Sequence, residues 1–359
     1  MRIEKLKLFA YKLPLRKKLL LNGNEISTRE GFIIEVRTDT NLRAVSEIAP
    51  LPYFSHESFT DVIAEIKLLK SKITNTELPS EILEQFVDCS PSVRFGIESA
   101  VMSLFAQEKK ISFVKYFNPH AKDTVVVNAL LIGSHEEIIK KASVLYKNGY
   151  RAFKMKIGRS KIIEEISTIH AVREIVGDSS LIRLDANRAF DINSATEFYE
   201  QIKELHIDYI EEPFQTFKSV QSYLESPNNK MPIALDESLT EIQPDILNNL
   251  IALKAIVVKP TLLGFTNAMM FAKKAMALGI QPVISSSFES SIGTNLLASM
   301  AAIIDANIPI GLDTLSWFQD DLISSPLEIT NGKINIVKHT EMHSKIDYAK
   351  LTEVSLDNQ

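Results

Sequence analysis

The chain has 359 residues, a length that suits one large α/β barrel with an appendage or two ordinary domains. Hydrophobic residues make up 45% and charged residues 24%, and with 12 Gly and 14 Pro the composition excludes disordered, collagenous and low-complexity proteins. The 40 basic and 45 acidic residues give a net charge of −5 with no basic block, so the electrostatic footprint of a nucleic-acid or anionic-membrane binder is missing.

The first residues, MRIEKLKLFAYKLPLRKK, interleave charge with apolar groups, unlike a signal peptide, and the longest apolar stretch, near 296–304, is too short to span a bilayer. A single cysteine, Cys89, excludes an internal disulfide and a thiolate metal cluster and fits a reducing compartment, so the expected location is the cytoplasm. Two alternating, strand-like runs, IEKLKLFAYKL and GFIIEVRT, are joined by a polar, Gly-containing stretch at 21–30. Helical patterns follow at 60–70, 81–86 and 92–109. Strands succeeded by helices predict an α+β unit over residues 1–120.

From residue 124 a period appears. Short β-branched runs start at 124 (TVVVNALL), 152 (AFKMKIG), 181 (LIRLDAN), 207 (IDYIEEP), 232 (PIALDES), 255 (AIVVKP), 281 (QPVISSS) and 309 (PIGLDT), each gap holding an amphipathic helix pattern. The capping box Ser134-His135-Glu136-Glu137 and the stop Lys147-Asn148-Gly149 bound the first of those helices. Eight near-equal units point to a (β/α)8 barrel over 121–315 rather than an open doubly wound sheet. Residues 316–359 are expected to pack back on the N-terminal unit, with a hairpin at 325–338 turning at Asn331-Gly332.

Barrel strands alternate between the interior and the helix layer, and catalytic groups sit at their carboxyl ends. On the second run Phe153, Met155 and Ile157 share the helix-facing side, so Lys154 and Lys156 point inward, where two ammonium groups would depress each other's pKa. A lone K-x-K is more often a solvated strand face, but the third, fourth and fifth runs end in Asp185, Glu211 and Asp236. Three carboxylates on neighbouring strands, with no His or Cys among them, suit octahedral Mg²⁺. Asn187, Glu212 and Glu237 are adjacent polar groups that would orient the ligands or the lysines. The sixth run ends in Lys259, across the barrel from Lys156. A metal and two facing lysines predict proton abstraction α to a carboxylate, and hence a small-molecule carboxylate substrate.

The series K-x-K, D-x-N, E-E-P, D-E-S and K-P-T at consecutive strand ends resembles the enolase superfamily, muconate-lactonizing-enzyme-like subgroup. SEIAPLPYFS (46–55), PSVRFGIES (91–99), RLDANRAF (183–190), ISSSFESSIG (284–293) and IGLDT (310–314) resemble its o-succinylbenzoate synthase family in particular. The resemblance implies a barrel with an N-terminal α+β cap completed by the C-terminal segment. It makes Lys156 the base, Lys259 its counterpart on the opposite face and Lys154 a group that tunes Lys156. Asp185, Glu211 and Asp236 become Mg²⁺ ligands, with Mn²⁺ as a substitute. The implied reaction is syn elimination of water from 2-succinyl-6-hydroxy-2,4-cyclohexadiene-1-carboxylate, a step of menaquinone biosynthesis. Ser286 and Gly311 would meet the succinyl tail. Arg183, on the inward face two residues before Asp185, would take a carboxylate or form an internal salt bridge to one of the strand-end acids. A lid is expected at 19–28, where Leu19, Leu20 and Leu21 adjoin Asn22-Gly23-Asn24.

Three rivals stand beside this reading. An N-succinylamino acid racemase or dipeptide epimerase would use Lys156 and Lys259 as paired bases. A Schiff-base enzyme would use Lys259 covalently and leave the three acids without a role. A non-catalytic barrel would leave the whole set dispensable. Glu289 reads as a helix-start charge, Cys89 as inert, and His135 and His206 as surface groups.

Overall fold

Period-two alternation over the first residues folds into long paired strands. In the computed structural model, which describes residues 1–78, 80–226, 230–250 and 252–357, β1 (Ile3–Leu21) and β2 (Asn24–Thr38) run antiparallel and β3 (Arg43–Ile48) extends the sheet beside β2. The connection is a two-residue turn, Asn22 and Gly23, both at positive φ (45° and 79°), so most of the expected 21–30 loop is strand. The register slips between Pro14 and Leu19, which bends the hairpin tip. Helices Phe59–Ile73 and Pro91–Glu108 cover the sheet, enclosing Ile3, Leu8, Ile34, Val36, Ile66, Ile97 and Val101 in a separate core.

The barrel begins with a split strand. β4 (Thr124–Val126) leaves the barrel, whereas β5 (Ala129–Leu131) starts a parallel sheet that continues in chain order through β6 (Ala152–Lys156), β7 (Leu181–Asp185), β8 (Tyr209–Glu211), β9 (Ile233–Leu235), β10 (Ala255–Val258) and β11 (Gln281–Ile284). The eighth run makes no full strand. It closes the ring through single bridges, Val127 to Ile310 and Ser285 to Gly311, with the Ile310 amide donating to Val126 O (2.9 Å) and the Gly311 amide to Ile284 O (2.8 Å). Between β9 and β10 two 3-10 segments, Glu237–Thr240 and Pro244–Asn249, replace the expected helix, because Pro244 has no N–H and disfavours helical Gln243.

The C-terminal hairpin forms as β12 (Ile329–Thr330) and β13 (Lys333–Asn335), with Asn331 (φ 52°) and Gly332 (φ 67°) in its turn. Its partner differs from the expectation: β13 pairs with β4, just ahead of the first barrel strand, and the segment that joins the N-terminal sheet is β14 (Thr352–Val354), beside β1. The β-branched Thr124–Val126 run supplies a free edge next to the hairpin, and this edge captures it. Among the described residues no helix is long and apolar enough to cross a membrane.

The helix His135–Lys147 starts with the capping box read from the sequence: the Ser134 hydroxyl accepts from the Glu137 amide, and Glu137 accepts from the Ser134 amide. Replacing Ser134 with Ala is expected to destabilise this end by about 1 kcal/mol, seen as roughly fivefold faster amide exchange in the first turn of that helix.

Candidate active site

The site follows from strand register. Phe153 and Met155 of β6 are buried, so the alternate residues Lys154 and Lys156 turn into the barrel. Parallel pairing sets Lys156 beside Asp185 and Asp185 beside Glu211, and Asp236 follows the last residue of β9. All three acids are buried: Asp185 is 1% exposed, Glu211 0% and Asp236 5%.

Lysines lie between these carboxylates. Lys154 Nζ stands 2.8 Å from Asp185 Oδ2 and donates to Glu211 Oε1 at 2.7 Å. Lys156 Nζ donates to Asp185 Oδ2 and to Asn187 Oδ1, both at 2.6 Å, and Lys259 Nζ bonds Asp236 Oδ2. At Lys154 the arrangement runs against the expected depression. Burial alone would lower the Lys154 ammonium, but Asp185 and Glu211 outweigh it and hold the group well above its ordinary value. Lys259 behaves alike, raised by Asp236 and Glu237 against the effect of burial.

The acids divide. Burial would raise Asp185, yet Lys154 and Lys156 hold it well below the usual carboxylate range. Glu211 is pushed well up, by burial first and then by Asp185, and Glu237 is raised to about 7 by burial and Asp236. Glu211 Oε2 lies 2.7 Å from Lys154 Nζ but outside hydrogen-bond geometry, and it and Glu237 Oε2 are buried oxygens that accept no hydrogen bond. Among the described residues no three acid, His or Cys side chains form a ready-made metal cage, since the lysines occupy the carboxylates. The donor set is nonetheless all hard oxygen with unused acceptor capacity, which fits a divalent cation.

Neighbouring polar groups hold this constellation in place. Asn187 (φ 43°) accepts from Lys156 and donates to Glu237 Oε1 at 3.1 Å. Glu212 (φ 40°) is buried and accepts from the amides of Asp236 (2.8 Å) and Ser238 (2.9 Å), so one carboxylate sets the turn that carries Asp236.

A cavity of about 930 Å³ lies over the lysines. Lys154, Lys156, Lys259, Asp185 and Glu237 border it on one side, Ser285, Ser286, Ser287, Gly311 and Asp313 on another, and Leu19, Leu20, Leu21 and Tyr53 of the N-terminal unit roof it. The Asn22 side chain donates to Tyr53 O at 2.8 Å, joining the two roof loops. A Cβ at Gly311 would stand 2.5 Å from Ser285 Oγ and 3.1 Å from its Cβ, so a side chain there would force Ser285 to move.

Arg183 is absent from the cavity wall. Its guanidinium is fully buried, donating to Asp208 Oδ2 (2.9 Å), Asn128 Oδ1 (3.2 Å) and Pro309 O (2.6 Å) above the Tyr209 ring; it is an internal salt bridge, but to Asp208 before β8 and not to one of the strand-end acids as expected. Cys89 is half-buried, its thiol pushed up to about 11 by burial and Glu65. Glu289 does stand at a helix start, directly before the N-cap Ser290 of Ser291–Asp305, but it is not solvated: it is 1% exposed and accepts from the Thr261 and Ser286 hydroxyls and the Ser287 amide. Its burial, like that of Arg29 and Glu47, has no signal in residue period or spacing.

Fold and site define an enolase-superfamily enzyme. Residues 137–339 match the family described as "Enolase C-terminal domain-like", and residues 3–104 match "MenC, N-terminal domain". Solved structures share the fold: the L-Ala-D/L-Glu epimerase from Bacillus subtilis (TM-score 0.83, 20% identity, 94% of this chain and 97% of that one) and a dipeptide epimerase from Enterococcus faecalis solved with Mg and a dipeptide (0.82, 20%, 94% and 98%). The chain is 33% identical over 330 residues to the o-succinylbenzoate synthase of Vibrio cholerae, covering 88% of this chain and 90% of that protein. It is 30% identical to that of Aliivibrio salmonicida, covering 88% and 92%. The chain belongs to the o-succinylbenzoate synthase family, a family of lyases.

Replacing Glu212 with Ala strands the Asp236 and Ser238 amides in a buried turn. The expected loss is about 1–3 kcal/mol, measured as a lower urea midpoint with unchanged secondary structure.

Proposed function

We propose that the enzyme is an o-succinylbenzoate synthase that eliminates water, with syn stereochemistry, from 2-succinyl-6-hydroxy-2,4-cyclohexadiene-1-carboxylate to give 2-succinylbenzoate, in menaquinone biosynthesis in the cytoplasm. The observation that carries this reading is a pair of lysines, Lys156 and Lys259, on β6 and directly after β10, bordering one roofed cavity in a chain whose relatives across most of its length are o-succinylbenzoate synthases.

Asp185, Glu211 and Asp236 would hold Mg²⁺, with Mn²⁺ as a substitute and with Asn187, Glu212 and Glu237 as supporting groups. When bound, the ion supplies Lewis-acid stabilisation of the charge that develops on the substrate carboxylate. The protein's own groups do the rest. Lys156, kept by Asn187 once its bond to Asp185 is released, removes the ring proton α to the carboxylate and passes it to the departing hydroxyl, so one residue serves as base and then acid on one face. Lys259 stabilises the enediolate electrostatically from the other face. Lys154 ties Asp185 to Glu211 and sets the field at Lys156. The leucine roof excludes water, and the wall of Ser286 and Gly311 receives the succinyl tail.

A racemase or epimerase reading draws on the same two lysines as acid and base. Arg183, bonded inside the barrel, does not separate the two reactions. Replacing Lys156 with Ala is expected to lower kcat for aromatisation by about 10⁴-fold, and replacing Lys259 with Ala by about 10²-fold to 10³-fold, followed in the ultraviolet. Absence of aromatisation by the wild type with Mg²⁺, or complete loss with Lys259→Ala alongside wild-type racemisation of an N-succinyl amino acid, would overturn the dehydratase reading.

Metal binding has its own test. Lys154→Met leaves Asp185 and Glu211 side by side without their shared cation, so the metal-free variant should lose about 3–5 kcal/mol. Millimolar Mg²⁺ should restore part of its melting temperature, EDTA should reverse the gain, and wild-type turnover should stop in EDTA.

A further inference from the structure

Glu289 lies between β11 and the helix Ser291–Asp305, and its carboxylate joins the ends of three successive barrel runs. Oε1 accepts the Thr261 hydroxyl at 2.5 Å, two residues beyond Lys259. Oε2 accepts the Ser286 hydroxyl at 2.7 Å and the Ser287 amide at 2.8 Å. Ser286 Oγ in turn accepts from Thr314 Oγ1 and from the Phe288 amide, both at 2.9 Å. A hydroxyl has one hydrogen and two lone pairs. Those of Ser286 are all spent inside the protein, so Ser286 forms a fixed wall rather than a free donor.

The N-terminal unit holds the same segment from its other side. Arg29 Nε donates to Phe288 O at 3.2 Å. Glu47 accepts from the amides of Ser290 (3.0 Å) and Gly293 (2.8 Å) and from the Tyr11 hydroxyl. Gly293 has no room for a side chain: a Cβ would stand 2.7 Å from both Glu289 Cβ and Glu47 Oε2.

We propose that Glu289 is a positioning residue that fixes the Ser286 wall and the turn after Lys259 relative to each other, so that the substrate tail and the reacting carboxylate are held at one spacing. This deepens the function proposed above and rests on it for the identity of the tail. The segment contains its own reporter. Trp317 is the only tryptophan, borders the cavity, and meets the Phe288 ring edge-on with centroids 5.7 Å apart.

The test compares wild type, Glu289→Ala, Glu289→Gln, Ser286→Ala and the Ser286→Ala/Glu289→Ala pair in full-length protein with Mg²⁺, reading kcat and KM for aromatisation and acrylamide quenching of Trp317. Glu289→Ala should raise KM about tenfold or more, with a smaller fall in kcat because Lys156 lies on another strand, and should make Trp317 easier to quench. Glu289→Gln can accept from Ser286 and Ser287 and donate to Thr261, and should return KM to within about threefold of wild type. The pair should be no worse than Glu289→Ala, since Glu289 acts through Ser286. Multiplicative effects in the pair, or a Glu289→Ala enzyme with wild-type KM and wild-type quenching, would overturn the proposal. If the wild type does not aromatise the cyclohexadiene, the functional reading fails by itself. Trp317 quenching then decides the positioning role, greater exposure in Glu289→Ala supporting it and no change overturning it. If Glu289→Ala does not fold, Thr261→Val, Ser286→Ala and their pair take its place: a pair no worse than the stronger single supports the proposal, and multiplicative losses sink it.

Discussion

Everything at the mouth of this barrel depends on burying carboxylates next to one another. Asp185, Glu211, Asp236 and Glu237 share a space largely closed to water, where each unneutralised charge costs several kcal/mol. The strands meet this constraint by register. Lysines on β6 and after β10 flank the acids on β7, β8 and after β9, with Lys154 reaching both Asp185 and Glu211 from one side and Lys259 bonding Asp236 from the other. A one-residue slip of β6 would send both lysines into the helix layer and leave Asp185 and Glu211 without a counter-charge, so the charge pattern specifies the sheet as strongly as the apolar pattern does.

The second constraint is the junction between the N-terminal unit and the barrel. Arg29 bonds main-chain groups of 288–293, and Glu47 accepts from the Ser290 and Gly293 amides and from the Ser290 hydroxyl, so together they fix the path of the backbone there. Glu289, in the middle of that path, faces the other way and fixes side chains of the barrel rim. The N-terminal sheet and the far wall of the cavity are thereby tied to one short segment.

Features carried by period and residue type were legible in the sequence. The barrel runs, the inward lysines and the strand-end acids follow from alternation and spacing, and the hairpin turn from Asn331-Gly332. Features decided by a partner distant in the chain were not. The β4 edge that captures the C-terminal hairpin, the bonds of Arg183 to Asn128 and Pro309, and the burial of Glu289 against Thr261 join residues from separate runs. The expected depression of Lys154 failed for the same reason: the two ammonium groups of the K-x-K were read against each other, whereas the groups that raise Lys154 come from β7 and β8.

The overall charge of −5 then acquires a local reading. Asp185, Glu211, Asp236 and Glu237 face Lys154, Lys156 and Lys259, and among the other charged residues bordering the cavity Lys18, Arg159 and Arg188 stand against Glu241 and Asp313, so the formal charges of the site balance. The acid surplus of the chain therefore lies outside the cavity. A divalent cation held by the three strand-end acids would tip the balance to positive without moving a strand, so that a carboxylate would meet an attractive field in a chain that is acidic overall.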